Sequence, residues 1–304
     1  MLWVLFGERI IVRAQSVVPE AIGHLLVGAT LFGEAWLFVV VLTLALWFGD
    51  ARRIAPLFGL VFGGLALVLV LKTALGIPRP VTGPLLAVEA VHPTLRPGYA
   101  WAIGGSGYGF PSGHVAGATI AWGGLAAAVG VGTRRGRWLI AAAIVALVGT
   151  SRVLLGVHFV ADVIGGLILG IGLVVLYQFL VRYTTAPGNW AFASGLVFAV
   201  AAIATEPSAT DPYLAAGALG GGLFAWVAFA DHDVTLSRTM AGTGWALVGV
   251  VVIGVAGGII GTSVPGRAGL LLATMVMAAV ILTWPTLVSG GPFTVRDRAF
   301  RRRE

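Results

Sequence analysis

The sequence predicts an all-α membrane protein, built as a polytopic bundle of transmembrane helices. Of its 304 residues, 58% are hydrophobic and only 10% are charged, and the mean hydropathy is +0.98. A soluble domain carries roughly a quarter of charged residues, because it must cover a water-facing surface. The apolar residues also fall into runs of about 20, the length that crosses a bilayer. Composition and run length together exclude a soluble globular domain.

The apolar runs predict about nine transmembrane helices. The residues before them, 1–28, hold Glu8, Arg9, Arg13 and Glu20, and this charge density favours an amphipathic helix at the membrane interface over a tenth span. The predicted spans are Ala29–Phe48, Ile54–Gly76, Val115–Val131, Trp138–Leu155, Phe159–Val181, Trp190–Thr205, Tyr213–Ala230, Gly242–Gly261 and Ala268–Val288.

The distribution of arginine predicts the orientation of the bundle. The net charge is +7, and the basic residues gather in "DARR" at 50–53, "TRRGR" at 133–137, Arg182 and the tail "RDRAFRRRE". All four segments fall on one side of a nine-helix topology, which the positive-inside rule assigns to the cytoplasm. We therefore expect a multi-pass plasma-membrane protein with a cytoplasmic C-terminus and no nucleic-acid partner. The chain has no cysteine, so disulfides and thiolate chemistry are excluded.

Polar residues at membrane depth are costly and usually functional, and three stretches of this chain contain them. They are "LKTALGIPRP" at 71–80, "FPSGHVAG" at 110–117 and "TSRVLLGVHFVAD" at 150–162. In the third stretch, the histidine and aspartate stand four residues apart, a spacing that places them on one helical face. The topology brings all three stretches to the outer ends of their helices. The polar residues concerned are Lys72, Arg79, Ser112, His114, Ser151, Arg152, His158 and Asp162.

The chemistry of this cluster predicts a phosphate-binding pocket. Arginine matches phosphate oxygens with two parallel hydrogen bonds, and lysine adds a point charge. The free amides at the start of the helix that follows Ser112, including that of Gly113, extend the anion site. A single acidic residue is too few for a carboxylate-bound hard cation, so we expect no metal and no other cofactor.

At these residues the sequence resembles the phosphatidic acid phosphatase type 2 superfamily, the lipid phosphate phosphatases. The motifs of that family are Lys-x6-Arg-Pro, Pro-Ser-Gly-His and Ser-Arg-x5-His-x3-Asp, and the chain carries all three in order as "KTALGIPRP", "PSGH" and "SRVLLGVHFVAD". The resemblance covers roughly residues 29–182. Five of the predicted spans fall in this core. The four predicted spans over 183–304, which form a transmembrane extension with a basic cytoplasmic tail, lie outside the resemblance, as do residues 1–28.

The resemblance also implies a role for each residue of the motifs. His158 is then the nucleophile that forms a phosphohistidine, Asp162 orients it, and His114 is the general acid. The transition-state oxygens would be bound by Lys72, Arg79, Ser112, Gly113 and Arg152. Two further residues, Ser151 and Glu34, are possible accessories, and a purely structural hydrogen bond is an equal alternative for Glu34.

The implied activity is metal-independent hydrolysis of a lipid phosphomonoester or diphosphate on the extracytoplasmic side of the membrane. An isoprenoid diphosphate is slightly favoured over phosphatidic acid and phosphatidylglycerol phosphate, because glycan carriers finish their cycle on the outer face. Two alternatives remain open: a phosphotransferase that uses an alcohol acceptor, and a non-catalytic transporter or scaffold. Partners are the lipid substrate, the bilayer and possible further copies of the chain.

Overall fold

The structure is a computed structural model that describes residues 2–94, 96–103, 107–229, 247–250, 253, 263 and 266–288. Within these ranges every regular element is a helix and there is no β-strand, which confirms the predicted all-α class. The helices are α1 (Leu2–Val17), α2 (Glu20–Thr30), α3 (Ala35–Phe48), α4 (Ala51–Leu75), α5 (Arg96–Ile103), α6 (Gly113–Ala128), α7 (Arg134–Leu154), α8 (Val160–Tyr183), α9 (Pro187–Thr205), α10 (Asp211–Phe229) and α11 (Gly266–Val288), with short 3-10 helices at Leu31–Gly33 and Val88–Ala90.

Five of these helices are long and apolar enough to cross a membrane: α4, α7, α8, α9 and α11. A sixth span is possible if Ile22–Gly33 and Ala35–Phe48, which meet at 55°, are counted as one. Helix α6 has 16 residues, or about 24 Å at the α-helical rise, which is short of the roughly 30 Å hydrocarbon core. The chain is therefore a polytopic membrane protein, but the predicted count of nine spans is not confirmed. The predicted span Gly242–Gly261 and the basic tail lie largely or wholly outside the described residues.

The first predicted span, Ala29–Phe48, was wrong as a continuous helix. Helix α2 ends at Thr30, a single 3-10 turn follows, and α3 begins at Ala35. The break is fixed to α6, because the indole Nε1 of Trp122 donates a hydrogen bond to the carbonyl of Phe32 at 2.9 Å. Gly33 permits the close approach, since a Cβ there would lie 3.0 Å from the Cβ of His114. An apolar run does not reveal such a break, because it depends on a distant helix.

The N-terminal helix α1 packs on the end of the bundle that carries the polar stretches. A Cβ on Gly7 would lie 2.6 Å from the ring of Phe159. The side-chain amide of Gln15 donates to the carbonyls of Leu154, at 3.0 Å, and of Gly83, at 3.3 Å. Helix α1 thus contacts both the α7–α8 turn and the long connection between α4 and α6. Its position at a membrane interface stays a prediction.

Glycines allow the central helix α4 to pack closely against α9. A Cβ on Gly63 would lie only 2.5 Å from the Cα of Gly195, and one on Gly59 would lie 2.7 Å from the backbone of Ala191. Farther along the chain, the indole of Trp47 in α3 donates to the carbonyl of Ile281 in α11 at 2.7 Å. The helices after residue 186 therefore pack directly against α3 and α4.

The antiparallel order of the helices collects the polar stretches at one end of the bundle. Helices α4 and α7 end there, while α3, α6 and α8 begin there. The connection between α4 and α6 folds over this end with a small apolar core of its own, in which Tyr99 donates to the carbonyl of Leu86 at 2.9 Å. That core joins α2, the connection and the α7–α8 turn, and it contains Leu26, Val27, Leu86, Val91, Tyr99, Leu155 and Val157.

Candidate active site

His158 and Asp162 form a buried hydrogen-bonded pair at the start of α8. The Nδ1 atom of His158 lies 3.1 Å from Oδ2 of Asp162, and the two side chains are 1% and 0% exposed. His158 precedes the helix, which begins at Val160, so the expectation that both residues share a helical face was wrong. Asp162 instead reaches back from the first turn, where the same oxygen also accepts the backbone N–H of Phe159 at 2.9 Å. A carboxylate only accepts hydrogen bonds, so Nδ1 carries the proton and Nε2 keeps its lone pair.

The turn between α7 and α8 sets the orientation of His158. Gly156 takes a left-handed conformation there, with φ of +77°, which a residue with a Cβ adopts only at a cost. The backbone N–H groups of Val157 and His158 both donate to the carbonyl of Arg152 at 3.2 Å. The turn therefore ties the backbone of the histidine directly to the end of α7.

Arg79 lies beside Nε2 of His158, the ring nitrogen that does not carry the proton. Its Nη1 donates to the carbonyl of Val157 at 3.1 Å and lies 3.5 Å from Nε2 of His158. Its Nε is buried and has no hydrogen-bond partner among the described residues. A buried donor without a partner is costly, and here it points to an anion as the missing acceptor.

Burial and nearby cations keep His158 neutral. Burial lowers the pKa of His158 well below its ordinary value of 6.5, and the positive charges of Arg152, Arg79 and Lys72 lower it further. The contribution of Lys72 is electrostatic: it stands half-buried in the last turn of α4, at the same end of the bundle. At neutral pH the imidazole is therefore uncharged, the form that a nucleophile requires.

Arg152 is almost fully buried, with 1% of its surface exposed, and its Nη1 donates to the hydroxyl of Thr30 at 2.9 Å. Thr30 was not among the predicted site residues. Its one signal in the sequence is that it is, like Glu34 four residues later, a polar residue in the first apolar run.

The neighbouring Ser151 is directed elsewhere, because its hydroxyl donates to the carbonyl of Val148 at 2.7 Å within α7. Ser151 makes no hydrogen bond to another site residue in the described part of the chain.

Ser112 joins the start of α6 to the start of α8. Its backbone N–H donates to the carbonyl of Asp162 at 2.9 Å. Its hydroxyl does not cap the helix, and among the described residues it is buried without a hydrogen-bond partner. Simple helix capping therefore does not explain this serine. At Gly113, a Cβ would make only ordinary contacts, 3.6 Å from Val68, so its protein neighbours do not require glycine.

His114 stands in the first turn of α6 and contacts Glu34 from the broken span. Its Nε2 lies 3.0 Å from Oε1 of Glu34, a carboxylate that is 2% exposed, whereas the imidazole is 21% exposed. Glu34 thus pairs with a histidine of the cluster. The structure joins the predicted residues through contacts between Arg79 and His158, His158 and Asp162, Ser112 and Asp162, and His114 and Glu34.

Comparison with known proteins gives a family match and a similar solved structure. Residues 53–186 match the PAP2 superfamily. The crystal structure of a transmembrane PAP2-type phosphatidylglycerolphosphate phosphatase from Bacillus subtilis is similar at 27% identity over 59% of this chain and 86% of its own, with a TM-score of 0.47. No curated protein sequence matches the chain significantly. The matched residues contain all three motifs and the cluster that these motifs form, and over this part the chain is similar to the PAP2 superfamily.

Proposed function

We propose that the protein is a membrane lipid phosphate phosphatase that hydrolyses a phosphomonoester or diphosphate of a lipid through a phosphohistidine. The single observation that carries the proposal is the state of His158. Its Nδ1 is bonded to Asp162, its Nε2 stands 3.5 Å from Arg79, and its lowered pKa keeps the ring neutral. Binding a phosphate needs cations only, whereas an oriented neutral imidazole beside them supplies a nucleophile.

In the first step, the lone pair of His158 Nε2 forms a bond to phosphorus. The bond between phosphorus and the leaving oxygen breaks, and that oxygen takes a proton from His114 acting as general acid. As Nε2 bonds to phosphorus, the imidazole becomes positively charged, and the carboxylate of Asp162 at Nδ1 stabilises that charge. The products of this step are the lipid alcohol, or a lipid monophosphate, and phosphohistidine.

The non-bridging oxygens need donors that are in place before the reaction begins. Arg79, Lys72 and Arg152 supply the positive charge, and the buried hydroxyl of Ser112 with the amide of Gly113 supplies neutral donors at the helix start. The partnerless Oγ of Ser112 and Nε of Arg79 support this assignment. Fixed cations then carry the electrostatic role that bound metal ions have in other phosphoryl-transfer enzymes.

In the second step, neutral His114 takes a proton from water. The water oxygen bonds to phosphorus, the P–N bond breaks, and its electron pair returns to Nε2 of His158. Inorganic phosphate leaves, and both histidines regain their starting states. An alcohol in place of that water would make the same site a phosphotransferase.

Exposed apolar side chains on helices α3 and α8, which carry or adjoin site residues, support a lipid substrate. Trp36 follows Glu34 on α3 and is 54% exposed, while Val160 and Ile164 flank Asp162 on α8 and are 45% and 50% exposed. In a bilayer such side chains face acyl chains. An amphiphile can therefore place its tail along these helices while its phosphate reaches the cluster.

The test is phosphate release by the purified protein from an isoprenoid diphosphate, phosphatidic acid, phosphatidylglycerol phosphate and two soluble phosphomonoesters. We expect release from at least one lipid substrate, and loss of that activity to background in His158→Ala. The matched control is His92→Ala, which should keep wild-type activity. His92 is exposed, and within the described residues its side chain is hydrogen-bonded to Thr94, two positions away.

Three results would contradict the proposal. Full activity in His158→Ala would reject the nucleophile, and inactivity of the folded wild-type protein on the whole panel would reject the phosphatase. Appearance of phosphate on an added alcohol, with little free phosphate, would assign the protein as a phosphotransferase.

A further inference from the structure

Glu34 is a buried carboxylate that belongs to none of the three motifs and lies outside residues 53–186. It follows the 3-10 turn and stands immediately before α3, in the N-cap position, yet its side chain does not cap that helix. Instead it reaches across to α6 and meets Nε2 of His114 at 3.0 Å. A buried carboxylate at membrane depth persists only where it has such a partner.

The break between α2 and α3 is held in place by contacts on several sides. Trp122 of α6 bonds the carbonyl of Phe32, and Arg152 of α7 bonds the hydroxyl of Thr30. A Cβ at Gly33 would lie 2.9 Å from the side chain of Val148, so the turn also packs tightly against α7. These contacts fix the position of the carboxylate against the imidazole, as a positioning group requires.

The electrostatics of the site explain why a carboxylate is needed at this place. A general acid must hold a proton before the reaction, and a protonated His114 would share the cluster with Lys72, Arg79 and Arg152. Asp162 offers little help to it, because that carboxylate is bonded to His158 and to the backbone of Phe159. Glu34 supplies a second negative charge directly at the ring of His114.

The geometry also assigns the two ring nitrogens of His114. Glu34 occupies Nε2, which leaves Nδ1 to carry the proton that the leaving oxygen receives. His158 has the opposite arrangement, with Nδ1 held by Asp162 and Nε2 left for phosphorus. The carboxylate partner of a histidine commonly sets which nitrogen does the chemistry.

We propose that Glu34 is the positioning residue of the general acid, so that the site contains two histidine–carboxylate pairs: His158 with Asp162 for attack, and His114 with Glu34 for proton transfer. This inference rests on the proposed function. In the first step, the proton on Nδ1 of His114 passes to the leaving oxygen, and Glu34 stays ionised. In the second step, Nδ1 takes a proton from water, and the Glu34 carboxylate stabilises the imidazolium that forms.

The test compares Glu34→Gln with the wild type on an alkyl phosphate, a poor leaving group, and on p-nitrophenyl phosphate, a good one. General acid catalysis is worth roughly 10²–10⁴-fold, so we expect kcat for the alkyl phosphate to fall about 100-fold or more. For p-nitrophenyl phosphate we expect a fall of less than about tenfold, because that leaving group departs without a proton. In a His114→Ala background, Glu34→Gln should add almost nothing.

Thr30→Val is the matched control, since it removes a buried hydrogen bond from the same broken span without touching His114. Its effect on kcat should be the same for both leaving groups. Equal losses on the two substrates in Glu34→Gln, or additive losses in the double variant, would overturn the proposal. If Glu34→Gln does not fold, Glu34→Asp decides: it keeps the charge and should keep the wild-type dependence on the leaving group. An inactive wild type would instead reject the phosphatase itself.

Discussion

Each histidine of the site is defined by the carboxylate that it contacts. Asp162 holds Nδ1 of His158 at 3.1 Å, and Glu34 holds Nε2 of His114 at 3.0 Å. The nitrogen without a carboxylate contact is therefore Nε2 in His158 and Nδ1 in His114. In the proposed mechanism, a single residue type therefore serves as nucleophile at one position and as acid at the other, because the carboxylate partner decides the tautomer and the charge of the ring.

We expect Asp162→Asn to lower kcat by roughly 10³–10⁴-fold, the size of effect that a wrong tautomer has in a comparable histidine–aspartate pair. An asparagine side chain can donate its amide hydrogen to Nδ1, which would place the ring proton on Nε2, the attacking atom. The measurement is kcat on the best lipid substrate, with the melting temperature in detergent as the check on folding.

The control for this variant is Asp50→Asn at the start of α4. Asp50 is 54% exposed, pairs with Arg53, and accepts the N–H of Arg52, a cap that asparagine replaces well. It should leave kcat unchanged. Activity of Asp162→Asn within a few-fold of the wild type would exclude the orienting role.

Helices α6 and α8 owe their close packing at the site to a glycine. Gly166 faces the start of α6, where a Cβ would lie 2.5 Å from the carbonyl oxygen of Ser112. One turn later, a Cβ on Gly170 would lie 2.5 Å from the Cβ of Thr119. Small residues at this spacing let helices approach closely in membranes, and here the approach keeps Ser112 bonded to Asp162.

We expect Gly166→Ala to lower kcat by at least tenfold and to lower the melting temperature, because the added methyl group must push α6 away from α8. The measurements are phosphate release and thermal unfolding in detergent. Gly172→Ala on the same helix is the control: its Cβ would meet nothing within 4 Å, so the better helix propensity of alanine should leave stability equal or higher. Unchanged activity in Gly166→Ala would show that the helix spacing tolerates a methyl group.

The bundle as a whole has two chemically different ends. One end carries the cluster under the long connection between α4 and α6. The other carries arginines, and Arg137 there donates to the carbonyls of Ala126, Val131 and Gly132 around the α6–α7 turn. The positive-inside rule assigns the arginine-rich end to the cytoplasm, so we propose that the cluster opens on the extracytoplasmic side.

Single cysteines test this orientation directly, since the natural chain contains none. Val81 in the long connection and Val131 in the α6–α7 turn are 85% and 69% exposed, at opposite ends of the bundle. In intact cells, a membrane-impermeant maleimide should label Val81→Cys and leave Val131→Cys unlabelled. After permeabilisation it should label both. The reverse pattern would place the active site in the cytoplasm and exclude substrates presented on the outer leaflet.

Much of this protein follows from local patterns. Composition and apolar runs specify a helical membrane bundle. Because successive spans cross the membrane in alternate directions, Lys72, His114 and Asp162 are predicted at the same end of it. The spacing of the motifs is also local, which is why the site residues could be named without coordinates. The turn at Gly156 and the pairing of His158 with Asp162 lie within a few residues of one another, so only the exact helix start was misplaced.

What required the folded structure is every contact made by the broken first span. Glu34 and His114 are 80 residues apart, and Thr30 and Arg152 are 122 apart. No periodicity connects such pairs. They meet because Gly33 lets a 3-10 turn pack against α6 and α7, and the free energy of that packing depends on all three elements at once. A run of apolar residues indicates that a helix will be buried. The helices packed against it decide where it bends and which of its few polar side chains reaches the site.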